Sequence, residues 1–219
     1  QGQPARERRS DDVKPVRIPS FILASLVALV SWAPPAWPQP GSSLSDAVVA
    51  IDLDEQFRAG DASAPVVLAV YACGRSDLCA RSIPLLYEKV STGQLKGRVK
   101  LYYRPFFTPG EDEAAQCGRA LVAAASQGMF WPYLLTLYEN NAKLKTCMLR
   151  RWAEVTGLDT CAYKLVFDDP KTSAYLLAVQ QEAARNKVDT TPSVFINGRR
   201  VLGDPSVDGI IGLLDQELK

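Results

Sequence analysis

Cysteine carries most of the chemistry that this sequence offers. The 219 residues include five Cys and no His. The absence of His excludes Ser-His-Asp and Cys-His catalysis, a His-containing zinc site and an imidazole pH switch. Two of the cysteines lie close together, Cys73 and Cys79 in CGRSDLC. A Cys-x5-Cys loop with Gly74 inside is short enough to bring the two Cα atoms within the roughly 4.4–6.8 Å that a disulfide requires. In that geometry one thiolate can attack a disulfide and the other can resolve the mixed disulfide. The same pair can equally be a permanent staple, or two unpaired small residues. Arg75 and Arg81 would favour a thiolate at this loop and Asp77 would oppose it. With two Met and no His, nothing promotes metal capture, and neither a metal site nor a cofactor is expected.

Cys117, Cys147 and Cys161 come later, in a stretch of helical composition. Cys147 and Cys161 each begin a predicted helix. If those helices run antiparallel, their starts lie about 15 Å apart, at 1.5 Å per residue over ten residues. That disfavours a 147–161 bridge and leaves Cys117 to reach one of them, unless all three are free. Within a monomer at least one of the five cysteines stays unpaired.

These residues need elements to position them. Residues 47–53 (AVVAIDL) read as a first strand and 58–64 (RAGDASA) as a turn. Residues 66–71 (VVLAVY) are almost wholly apolar, as suits a central strand covered on both faces. Residues 80–90 are helical in composition, and 98–104 (RVKLYYR) alternate like a strand. A helical series follows: from the acidic 111–113 to Gln127, where Gly128 stops it, then 130–140, 146–155, 160–167 and 173–186. Strand character returns at 193–196, Asn197-Gly198 is a hairpin signal, and 199–202 is the return strand. Residues 206–218 close the chain as an amphipathic helix. Strands with helices between them give a sheet packed on both sides. Phe106, Phe107, Phe130, Trp131 and Tyr133 read first as core and second as the lining of a peptide groove. Thr191-Pro192 can simply start a strand with a trans bond.

The N-terminal residues read differently. Five basic residues precede an uncharged stretch, 18–45, whose apolar centre at 21–30 is shorter than the about 20 residues of a spanning helix. A basic start, a short apolar run and turn-forming residues describe a secretory signal, with an uncleaved membrane tether as the rival reading. Residues 1–36 are assigned to this segment and 37–46 to a Pro/Gly/Ser linker. The whole chain has 25 Lys and Arg against 24 Asp and Glu, a formal charge of +1, and without 1–36 the balance is 20 to 21. Neither value gives nucleic acid a reason to bind. Export to the bacterial periplasm would put the cysteines where disulfides persist.

The segment VVLAVYACGRSDLCARSIP, residues 66–84, resembles the strand, active-site loop and first helix of a thioredoxin-fold protein. The helical block, followed by TTPSVFING at 190–198, narrows the resemblance to the DsbA-like disulfide oxidoreductases. Cys79 with Pro84 five residues later matches the family's second active-site cysteine and helix-kinking proline, and Thr191-Pro192 matches its cis-proline loop. The resemblance covers about 170 residues. It implies a thioredoxin-like α/β fold split into 47–110 and 188–219 by an inserted helical subdomain at 111–187. It also implies a role on protein or peptide cysteines, with a membrane redox partner compatible with that role. On this alignment Ser76 stands at the nucleophile position, giving Ser-x-x-Cys in place of Cys-x-x-Cys, and Val70 stands where many members carry a buried carboxylate. Cys73 is then the one residue that could serve as a displaced nucleophile, with Cys79 resolving. Thr191 and Pro192 are the expected substrate-binding pair. The alternative is a redox-inactive module that holds peptides or a partner protein in the cis-proline groove.

Overall fold

The computed structural model describes residues 41–203 and 206–219, so the reading of 1–36 as a signal or tether lies outside the described residues. A sheet of six strands runs in the order β1-β6-β5-β3-β4-β2. β3 (Val66–Ala72) occupies its middle, parallel to β4 (Val99–Pro105) and antiparallel to β5 (Ser193–Ile196). Alternate residues of β3 enter different cores, as a period of two demands. Val66, Leu68, Val70 and Ala72 belong to the larger one, whereas Ala69 and Tyr71 belong to a smaller one with Phe106, Val179, Ala183 and Phe195. Both faces are therefore covered.

α1 (Asp77–Ser91) follows β3 and buries Cys79, Ile83, Leu86 and Val90 in the larger core. That spacing is one face of a 3.6-residue helix. The insertion follows β4. It comprises α2 (Asp112–Ala125), α3 (Phe130–Glu139), α4 (Leu149–Val155), α5 (Thr160–Asp168) and α6 (Pro170–Arg185). Val179 and Ala183 of α6 pack on the opposite side of the sheet from α1, in the smaller core. β5, β6 (Arg199–Leu202) and α7 (Val207–Glu217) complete the fold. The β5–β6 turn has Asn197 at φ 50 and Gly198 at φ 79, the two positive values of a type I′ hairpin.

Two local readings need correction. β1 is Ser43–Val48, so the first strand begins inside the stretch assigned to a linker and ends before most of residues 47–53. Its ladder is made with β6, and Ser45 secures it: Arg200 N–H donates to Ser45 Oγ at 2.9 Å, and Arg199 Nε donates to Ser45 O at 2.8 Å. The apolar alternation of 47–53 is satisfied otherwise, because Val49, Ile51 and Leu53 pack against the smaller core. The turn read at 58–64 begins with a two-residue strand, β2 (Arg58–Ala59), on the edge of β4.

Beneath the sheet lies a buried charged network. Arg104, 2% exposed, donates to both carboxylate oxygens of Glu182, at 3.2 and 3.0 Å. Tyr71 Oη and the Asp52 N–H donate to the same carboxylate. One acid thereby ties β3, β4, α6 and the segment after β1 together.

Candidate functional site

β3 delivers its last residue, Ala72, to a tight turn that starts at Cys73. Ser76 N–H donates to Cys73 O at 3.2 Å, and Arg75 N–H donates to Cys73 Sγ at 3.4 Å. Ser76 is the N-cap of α1, with extended backbone and its Oγ accepting from Cys79 N–H at 3.3 Å. A helix N-terminus favours a thiolate more than the turn before it does. Here that place holds a hydroxyl engaged in capping, and Cys73 lies three residues before the N-cap.

Cys79 is fully buried. Burial pushes its thiol up, while the Ser76 side chain, the Cys73 backbone and the Thr191 side chain pull the other way. These contacts bring Cys73, Ser76, Cys79 and Thr191 together from two distant parts of the chain. The Thr191–Pro192 bond that follows is cis. Among the described residues no carboxylate acts on Cys79, and Val70 is fully buried hydrocarbon.

Burial also pushes the Cys73 thiol up. Its contacts with the backbone N–H groups of Arg75 and Ser76 lower it, and the charges of Cys79 and Glu111 raise it further. The expectation that Arg75 and Arg81 would tip the loop toward a thiolate is therefore corrected. The Arg75 guanidinium pairs with Glu113 at 2.6 Å, Arg81 is exposed, and Asp77 accepts a hydrogen bond from Asn141. Loss of water at the sulfurs outweighs the neighbouring charges.

A cavity of about 560 Å³ opens beside these residues. Cys73, Ser76 and Thr191 line one side, Phe107 and Thr108 another, and the acidic start of α2 (Glu111, Asp112, Glu113) a third. Of the five aromatics considered for a groove, only Phe107 lines this cavity. Phe106, Phe130, Trp131 and Tyr133 are core.

Two further residues reach the loop. Tyr138 Oη, from α3, donates to Cys73 O at 3.2 Å. Cys117, on α2 and 1% exposed, places its Sγ 2.5 Å from where a Cβ on Gly74 would stand. Cys117 therefore faces the Cys73 loop and not Cys147 or Cys161, both of which are exposed. Its place on the buried stripe Ala114-Cys117-Leu121-Ala124 was legible as helical periodicity. The neighbour it meets there was not, because that depends on how α2 sits against the loop.

Comparison with known proteins bears on the fold. A family model described as Thioredoxin matches residues 52–216. Among curated proteins, Na(+)/H(+) antiporter NhaA 3 of Salinispora tropica is 27% identical over 171 residues, which is 75% of this chain and 25% of that protein. Na(+)/H(+) antiporter NhaA of Herminiimonas arsenicoxydans is 30% identical over 97 residues, 44% of this chain and 16% of that protein. The chain thus spans a quarter or less of the length of these relatives. Solved structures share the fold. A thioredoxin-like oxidoreductase from Silicibacter pomeroyi has a TM-score of 0.63 at 20% identity, over 75% of this chain and 93% of its own. BdbD from Bacillus subtilis has 0.64 at 16%, over 74% and 92%. A periplasmic thioredoxin-like protein from Salmonella enterica serovar Typhimurium has 0.62 at 16%, over 74% and 88%. A central parallel β3–β4 pair, a cysteine in the first turn of the following helix and a matching family model over three-quarters of the sequence have one common reading: the chain belongs to the thioredoxin family, with a DsbA-like inserted helical subdomain.

Proposed function

We propose that this domain is a thiol-disulfide oxidoreductase acting on protein cysteines in the cell envelope, with Cys73 as the exchanging thiol and Cys79 as the resolving one. The observation that carries this is the convergence of Cys73 and Cys79 with Thr191 beside an open cavity. In the reductive direction the Cys73 thiolate attacks a substrate disulfide. A mixed disulfide forms and one substrate thiolate leaves. Cys79, as thiolate, then attacks Cys73 Sγ, giving a Cys73–Cys79 disulfide and the second substrate thiol. The substrate gains two electrons and the protein loses them; the reverse sequence oxidises the substrate. Thr191 lies beside Cys79 and lines the cavity, and with Pro192 it would align the extended substrate chain. The periplasmic Salmonella protein of the same fold and the signal-like composition of residues 1–36 support envelope action.

Ser76 favours a second reading. With no thiol at the helix N-terminus, the same cavity and cis-proline loop can bind a peptide or partner protein without exchange. The two readings separate in a trapping experiment with a disulfide-bonded peptide. Cys79→Ala combined with Cys117→Ala, which also removes the buried thiol beside the loop, should accumulate a mixed disulfide at Cys73, and Cys73→Ala should form none. A folded Cys79→Ala/Cys117→Ala protein that forms no adduct, yet binds a cysteine-free peptide at the cavity, would leave the binding module.

A further inference from the structure

Cys117 is a buried thiol that the exchange above does not use, and it packs on the loop that carries Cys73. Its sulfur lies against the backbone of Gly74, so closely that a Cβ there would fall 2.5 Å from Sγ. Gly74 directly follows Cys73, and the Cys73 charge acts on the Cys117 thiol. Cys117 belongs to the inserted subdomain and Cys73 to the loop after β3, so a bond between them would join the two parts of the fold. Gly74 presents no side chain, so Cys117 Sγ reaches the backbone of the residue next to Cys73.

We propose that Cys117 is a second resolving partner for Cys73, so that the loop can hold either a Cys73–Cys79 or a Cys73–Cys117 disulfide. The proposal rests on the reading of Cys73 as the exchanging thiol. The conversion needs no external oxidant. The Cys117 thiolate attacks Cys73 Sγ of the Cys73–Cys79 bond, the Cys73–Cys117 bond forms, and Cys79 leaves as a thiolate. The proton given up by Cys117 is taken by Cys79, and the oxidation level of the protein is unchanged. Burial holds the Cys117 thiol up, so this step is slow compared with resolution by Cys79 and speeds up as pH rises. The consequence is a state in which Cys79 is free while the reactive loop is locked to α2.

The test is disulfide mapping by mass spectrometry after oxidation in glutathione buffer and acid quench, on the full chain. In the wild type, Cys73–Cys79 peptides should appear first and Cys73–Cys117 peptides later, with a faster conversion at higher pH. In Cys79→Ala, protection of both Cys73 and Cys117 from alkylation should replace the 73–79 bond. Wild type that forms the 73–79 bond reversibly but never a 73–117 bond would overturn this inference and leave the proposed function standing. Absence of any bond at Cys73, in a protein whose Cys73 does not react with glutathione either, would overturn both. A packing control guards against misfolded variants. Gly74→Ala should lower the unfolding midpoint, and adding Cys117→Ala should restore part of that loss. Equal midpoints for Gly74→Ala with and without Cys117→Ala would remove the close approach on which the inference stands.

Discussion

At the scale of single residues, Ser76 bears most directly on the proposed exchange. It occupies the N-cap of α1 with its hydroxyl on Cys79 N–H, the place where a thiol would gain most from the helix dipole. Ser76→Cys should therefore set a new thiol opposite Cys79, and that thiol should react faster at neutral pH than Cys73 does. Loss of the serine cap would cost about 1 kcal/mol of stability. Chemical denaturation and iodoacetamide kinetics on the variant measure both effects. The native thiols should behave oppositely. Burial raises Cys73 and Cys79, so each is protonated below its raised value and its thiolate fraction grows with pH. The alkylation rate of Cys73 should climb about tenfold per pH unit, without levelling before the ordinary thiol value near 8.5. A plateau near pH 7 would contradict a Cys73 thiol held up by burial.

At the scale of elements, positioning depends on a few contacts that hold β3, β4 and α6 in register. Arg104 and Glu182 are the most exacting of these, since both are buried and hydrogen-bonded to one another. Glu182→Ala leaves the Arg104 charge unpaired in the interior, which should cost about 3–5 kcal/mol. It also strands the Tyr71 hydroxyl and the Asp52 N–H. Urea denaturation measures the loss, and a change below about 1 kcal/mol would show that water reaches Arg104. Most elements were legible in the sequence because their signals are local. β5 and β6 were read at their observed bounds from apolar runs around Asn197-Gly198, and the end of α2 from Gly128, which takes a φ of 70. β1 was not, because SLSDAV carries little apolar content and is a strand through its backbone ladder to β6. Cys79 and Thr191 were legible through their motif surroundings. Cys117 and Tyr138 were not, since their approach to Cys73 depends on how the insertion docks on the loop.

At the scale of the whole molecule, the fold places the Cys73 loop between the thioredoxin core and the inserted helices. The thioredoxin core supplies Cys73, Cys79 and Thr191, and the insertion supplies the acidic wall of the cavity and Cys117. Neither part alone makes the site. The claim that this site exchanges disulfides is tested most directly by an equilibrium redox titration in glutathione buffers, with mass-spectrometric mapping of Cys73 and Cys79. The expected result is a reversible bond at Cys73 with a potential between about −120 and −270 mV, the range of working oxidoreductases. A bond that resists reduction below about −300 mV, or the lack of any bond at Cys73, would contradict exchange and leave a thioredoxin-fold binding module.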